Sequence, residues 1–290
     1  MITPSIGASL WIWDSPVTTD VIRARAPRVA AMGFDAIELP LETPGDWSAD
    51  VARPILAHHG LAVSVCAAMG PGRDLTTDDA ATVAETHAYL RTCLEAAAGI
   101  GARTVAGPVY APTGVTGPID PDERARRLER LARNLLPVLA EADALGIHLA
   151  LEPLNRFETS LFNTVAQALE LIEAVAHPAL GLLLDTFHMN IEERGIGDAI
   201  RRAGHHIRHV HACGSDRGAP GHDNIDWTGV RHALADVGYT GMVTIESFTA
   251  ANRTIATAAS IWRPLAPTQD DLAADGLAFL RDLFATTPPA

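Results

Sequence analysis

Two stretches decide the fold: Leu149–Thr159, LALEPLNRFET, and Leu180–Asn190, LGLLLDTFHMN. In each, a run of aliphatic residues, of the kind expected in a strand buried on both faces, stops at a carboxylate, Glu152 or Asp185. A carboxylate is costly at the end of an apolar strand unless a cation or a hydrogen-bonding network receives it. The segments HIRHVHACG, stopping at His211, and MVTIESF, stopping at Glu246, repeat the pattern. Four such ends argue for convergence on one metal ion.

Working outward, apolar runs alternate with amphipathic segments along the whole chain. A strand over Ile6–Trp13 precedes a helix near Thr18–Met32; then come FDAIELP, a helix over Ser48–His58, LAVSVCA, a helix over Asp79–Ala98, and ARTVAG. Glycines at 33, 60 and 101 close these helices as C-caps. Asp120 and Pro121 open a fourth helix running to Leu145, as N-cap and first helical residue. A fifth helix follows Asn163, a sixth spans about Ile196–Ala203, and a seventh starts at the Asp226 cap. Helical material fills Thr249–Trp262 and about 270–285.

Eight strand-helix units with no long linker predict a parallel sheet closed into a (β/α)8 TIM barrel, an α/β fold in one domain over residues 1–290. A doubly wound open sheet is the alternative, but no G-x-G-x-x-G follows the first strand.

Composition narrows the function. Hydrophobic residues make up 48% and charged residues 20%, the profile of a soluble globular protein. No apolar run is long enough to span a bilayer and the N-terminus lacks a basic signal-peptide flank, so a cytoplasmic enzyme is the expectation. The net charge of -13 disfavours nucleic acid and anionic membranes as partners and suits a neutral small molecule. All 22 basic residues other than histidine are arginine, which excludes Schiff-base, pyridoxal-phosphate and Walker-loop chemistry. Cys66, Cys93 and Cys213 are too far apart to form a C-x-x-C pair and read as reduced thiols.

In a barrel of this kind the carboxyl ends of the strands share one face, so Glu152, Asp185, His211 and Glu246 become neighbours. Three carboxylates and one imidazole, without sulfur, favour Mn2+, with Co2+ or Mg2+ as alternatives. At these residues the chain resembles the ketose 3-epimerases (D-tagatose and D-allulose, or psicose, 3-epimerases) of the xylose-isomerase-like barrels. The resemblance spans nearly the whole chain and is sharpest in EPLNRFET, LDTFHMNIEE, the His211–Trp227 segment with DRGAPG, and IWRPL. It implies that the four residues bind Mn2+ or Co2+, that Glu152 and Glu246 double as the acid/base pair, and that Glu158, His188 and Arg217 hold the sugar's first oxygens. A homo-oligomer, dimer or tetramer, is also expected.

The residues read independently are compatible with this. Epimerisation at C3 needs proton removal on one face and return on the other, and Glu152 and Glu246 project from different strands. Trp11, Trp13, Cys66 and Pro108 fall near other strand ends and could line the apolar side of a pocket, although each singly reads as core. Alternative partners are Asp216 for Arg217 and Arg156 for Glu158; His209 reads equally as a support for His211 or as a core histidine. Gly214 stands where the family commonly carries a glutamate, which leaves substrate choice open. Other readings are a 3-oxo-C-glycoside lyase with a small second subunit, an aldose-ketose isomerase, and, disfavoured by charge, a DNA-repair nuclease.

Overall fold

A computed structural model describes residues 4–285 of the chain. Strand β1 (Ser5–Ser9) leads through a single 3-10 turn (Leu10–Ile12) to α1 (Thr19–Met32). Next come β2 (Ala36–Leu41), α2 (Ala49–His58), β3 (Ala62–Ala67), α3 (Ala80–Ile100), β4 (Thr104–Gly107) and α4 (Pro121–Ala144). The second half runs β5 (His148–Leu151), α5 (Val165–Val175), β6 (Leu180–Asp185), α6 (Thr186–Glu192), α7 (Ile196–Ala203) and β7 (Ile207–Ala212). It closes with α8 (Trp227–Asp236), β8 (Met242–Ile245), α9 (Arg253–Ala258) and α10 (Gln269–Ala285). The strands pair in parallel in chain order and β1 pairs with β8, so the sheet closes into the expected (β/α)8 barrel.

Both faces of the strands are covered, as the unbroken burial of β2 and β6 shows. Outward-facing side chains pack against the helices in one extended apolar core. Inside the barrel, Ala106, Ala150 and Leu183 form a small apolar group of their own. Buried Glu38, Ser64 and His209 form a polar group held by hydrogen bonds. Small side chains and satisfied polar ones both suit the narrow interior of an eight-stranded barrel.

Local chemistry explains most boundaries. Asp120 accepts from the Glu123 amide to cap α4, with Pro121 in its first turn. Thr164 and Gln167 form a reciprocal capping box at the start of α5.

Three expectations need correction. The first strand is shorter than Ile6–Trp13, because the Ser9 side chain accepts from the Trp11 amide and starts the 3-10 turn, moving Trp11 and Trp13 beyond the sheet. The segment Thr249–Trp262 is helical only over α9, which Asn252 caps through the amides of Thr254 and Ile255. Helix α6 was not anticipated: Asp185 ends β6 and caps α6 at once, so no turn residues announce it.

No helix among the described residues is long and apolar enough to cross a membrane. A cavity of about 440 Å3, lined in part by Arg53, Arg103, Arg208, Ser64, His209 and Met242, opens at the amino ends of the strands, opposite the acidic ends.

Candidate metal centre and active site

Register brings the predicted residues together. Asp185 and His211 are directly paired across β6 and β7, and His211 pairs with Thr244 of β8, two residues before Glu246. Glu152 follows the last residue of β5. All four are buried. The Nδ1 of His211 lies 3.3 Å from Glu246 Oε1, 3.8 Å from Asp185 Oδ2 and 3.9 Å from Glu152 Oε1. Donor atoms of Glu152, Asp185 and His211 all lie within 4.8 Å of one another.

Two atoms in this cluster lack partners. Asp185 Oδ1 accepts from the amides of Phe187 and His188, at 2.6 and 3.2 Å, but its Oδ2 is sealed from solvent without a hydrogen bond. His211 Nδ1 is likewise orphaned. Unpaired buried polar atoms are rare and costly, and a cation between them is the simplest remedy. The donor set, carboxylate oxygens with one imidazole nitrogen, fits a divalent metal of hard to borderline character.

Electrostatics agree. Burial, with the charges of Glu246 and Asp185, raises the Glu152 carboxyl well above its ordinary range. Burial also lifts Glu246, with Asp185 and Glu38 reinforcing and His211 and Arg217 opposing, to about 8. Asp185 is raised by burial, against the pull of His211 and Arg217. Burial would lower His211, but Glu38, Glu246 and Glu152 overcome it and hold the imidazole well above its usual value. Such a cluster keeps protons that a binding metal would displace into solvent.

Two further groupings of donors are less suited. Glu38, His209 and His211 are close enough to share an ion, but they already bond one another at 2.8 to 3.2 Å. Glu38, Cys66 and Glu246 form the other group, yet burial and the charges of Glu38, Glu246 and Glu152 hold the Cys66 thiol well above its ordinary value, disfavouring a thiolate.

Beside the cluster, His188 is buried, and its Nδ1 accepts from the Asn155 amide at 3.0 Å. The neutral ring therefore carries its proton on Nε2, which lies 3.8 Å from Glu152 Oε1. Burial, Arg217 and His211 all push His188 well below its usual value, so it stays neutral.

Arg217 is also buried, with Nη2 2.5 Å from Glu158 Oε1 and Nη1 3.7 Å from Glu246 Oε2. Its guanidinium stacks 4.2 Å from the Phe187 ring centre and 5.1 Å from that of Phe248. The alternative pairs of the sequence reading do not form: Asp216 pairs with Arg263 and Arg156 with Glu192.

The loop to Arg217 is held tightly. Arg217 adopts a left-handed backbone at φ 65°, pinned where Ser247 Oγ donates to its carbonyl. A Cβ at Gly214 would come within 2.9 Å of the Ala219 carbonyl oxygen and 3.0 Å of that of Gly218. In this chain glycine at 214 is what the loop's closure requires.

Trp11, Cys66 and Phe248 form an apolar cluster with Ala256, Ala259 and Ile261 at this end of the barrel. Trp13 does not join it: its ring belongs to the main core and its Nε1 donates to Asp270 at 2.8 Å. Pro108 lies half-buried just past the end of β4. Sequence reasoning missed Glu38, Asn155, Phe187 and Phe248. For Glu38 a signal existed, a carboxylate inside the otherwise apolar strand AIELPL, but it does not end the run as Glu152 does.

The fold and cluster together define a xylose isomerase-like barrel with an acidic metal-type centre. A family model described as Xylose isomerase-like TIM barrel matches residues 26–283. A Synechocystis sp. protein named "Probable ketose 3-epimerase" is 38% identical over 88% of both chains. A ketose 3-epimerase of Arthrobacter globiformis is 32% identical over 96% of both. Among solved structures, an L-ribulose 3-epimerase superposes with a TM-score of 0.89 at 32% identity, covering 97% of this chain and 95% of that one. The chain belongs to the ketose 3-epimerases within this barrel family, and is thus an isomerase-class enzyme.

Proposed function

We propose that the protein epimerises free ketoses at C3, taking a proton from one face of the substrate and returning one to the other. The observation carrying this reading is the placing of two buried carboxyls, Glu152 and Glu246, within 3.9 and 3.3 Å of the same His211 nitrogen, both raised by burial above the ordinary carboxylate range. A carboxyl raised in this way serves as acid or base closer to neutral pH than an ordinary one. A related D-allulose 3-epimerase of Methylomonas sp., with a TM-score of 0.88 and 28% identity over 97% of this chain and 98% of that one, is known in complex with D-allulose.

Glu152, Asp185, His211 and Glu246 would hold one divalent ion, for which Mn2+ suits the donor set best. When bound, it would supply Lewis-acid polarisation of the substrate carbonyl and offset the cluster's negative charge. The chain's own residues do the proton work. Ionised, one glutamate removes the C3 proton while the other, protonated, delivers its proton to the opposite face; their roles exchange for the other epimer. The neutral His188 donates from Nε2, and Arg217 donates from its fork, to the oxygens on which charge develops. Glu158 and Asn155 keep Arg217 in place, with Asn155 Nδ2 2.9 Å from the Glu158 oxygen that Arg217 also holds. Trp11, Phe248 and Cys66 offer an apolar wall for the rest of the sugar.

The test is direct. The protein is stripped with a chelator, Mn2+ or Co2+ is restored, and D-fructose, D-tagatose and L-ribulose are each incubated in D2O. The C3 epimer and deuterium at C3 are the expected products. A metal-restored enzyme that exchanges no deuterium into any of the three ketoses would sink the reading.

A further inference from the structure

Glu38 projects from the middle of β2 into the barrel and is fully buried, 171 and 173 positions from the histidines it meets. Ser64 Oγ donates to its Oε2 at 3.0 Å. His209 Nε2 lies 2.8 Å from Oε2, and His211 Nε2 lies 3.1 and 3.2 Å from Oε1 and Oε2. An ionised carboxylate only accepts, so each imidazole nitrogen facing it carries a hydrogen. A metal takes the neutral imidazole, displacing the second proton, and that form has one N–H. With that hydrogen on Nε2, His211 is left with a bare lone pair on Nδ1, the orphaned atom that faces Glu152, Asp185 and Glu246.

The geometry points to Glu38 as the residue that sets the tautomer and ring orientation of His211, and so makes Nδ1 a metal donor. Glu38 is a positioning residue: it lies behind the imidazole and acts through it. The inference rests on the metal-centre reading above and adds how one donor of that centre is prepared. Two features make the carboxylate a rigid support. Ser64 and His209 occupy one oxygen from separate strands, leaving little freedom to rotate, and a negative charge behind an imidazole strengthens the opposite nitrogen as a donor. His209 is thereby accounted for as well: it helps to hold the carboxylate that supports its neighbour.

The experiment compares wild type, Glu38→Gln and Ser64→Ala, each as the full chain stripped with a chelator and titrated calorimetrically with Mn2+. Glutamine has nearly the same shape but offers one acceptor oxygen and one NH2 group. Its single oxygen cannot accept from Ser64 and both imidazoles as the carboxylate does, and its NH2 facing a ring nitrogen favours the opposite tautomer. We expect the Mn2+ dissociation constant to rise about 10- to 100-fold in Glu38→Gln, the range typical for loss of such a support. Ser64→Ala, which keeps the charge and loses one tether, is expected to weaken binding by about 2- to 5-fold. In Co2+-loaded protein the visible d–d bands should shift in Glu38→Gln, reporting a disturbed imidazole.

A folding role alone would lower the melting temperature of the stripped variants while leaving the Mn2+ affinity within about 2-fold and the Co2+ bands unmoved. That result overturns the inference. Ser64→Ala keeps the test open if Glu38→Gln fails to fold: an affinity identical to wild type would then count against it. A wild-type isotherm with no Mn2+ binding would instead remove the metal-centre reading itself, and the two failures differ in which protein fails to bind.

Discussion

Removing one charge from the acidic cluster should stabilise the stripped protein while harming its function. In Glu246→Gln the side chain keeps its size and can no longer ionise. The folded-state value of Glu246 is raised from 4.5 to about 8, chiefly by burial. A raised carboxyl favours folding fully below its unfolded value and loses that contribution as pH rises through the folded one. Over that window, ionising Glu246 costs the metal-free fold on the order of 5 kcal/mol.

Glutamine escapes this cost, in which the opposing attraction of His211 and Arg217 is already counted. The gain should therefore approach about 5 kcal/mol at pH 9 and be close to zero at pH 4.5. Urea unfolding of chelated wild type and variant at the two pH values measures it. With Mn2+ present the order should reverse, since the variant lacks one anionic donor. A chelated variant no more stable than wild type at pH 9 would refute the reasoning, as would a difference independent of pH.

Two other outcomes follow from the same geometry. Because Glu152, Glu246 and His211 are all raised, the metal-free centre holds protons at pH 7 that a cation must displace. Mn2+ affinity should thus climb with pH toward 8, and calorimetry in buffers of different ionisation enthalpy should register about one or more protons released per ion; affinity flat across pH 6 to 8 would contradict it. Gly214→Ala should push the carbonyls of Gly218 and Ala219 and displace Arg217, lowering kcat/KM about 10- to 100-fold with Mn2+ affinity nearly unchanged. A variant with wild-type turnover would show that the loop accommodates the added carbon freely.

Much of the centre was legible because its signal is local. An aliphatic run that ends in a carboxylate or histidine marks Glu152, Asp185, His211 and Glu246 without any knowledge of their neighbours, and parallel strands of equal direction place such ends on one face. Helix caps such as Asp120 and Asp226 are local too. Trp11 and Trp13 were misplaced beyond the true end of β1 because a serine able to cap a turn looks like any small strand residue. Helix α6 was hidden because its cap and the last residue of β6 are one residue, Asp185.

The sequence by itself determined the alternation of strands and helices, and with it the closed barrel and the rim on which Glu152, Asp185, His211 and Glu246 stand. Only the tertiary structure decided how those side chains are used. It leaves Oδ2 of Asp185 free while Oδ1 caps a helix, and it buries Arg217 between Phe187 and Phe248 against Glu158. It also carries Glu38 across the barrel to His209 and His211. The reason is physical: strand periodicity is written in adjacent residues, whereas a hydrogen bond between positions 173 apart exists only once closure of the sheet has brought β2 and β7 to a common interior.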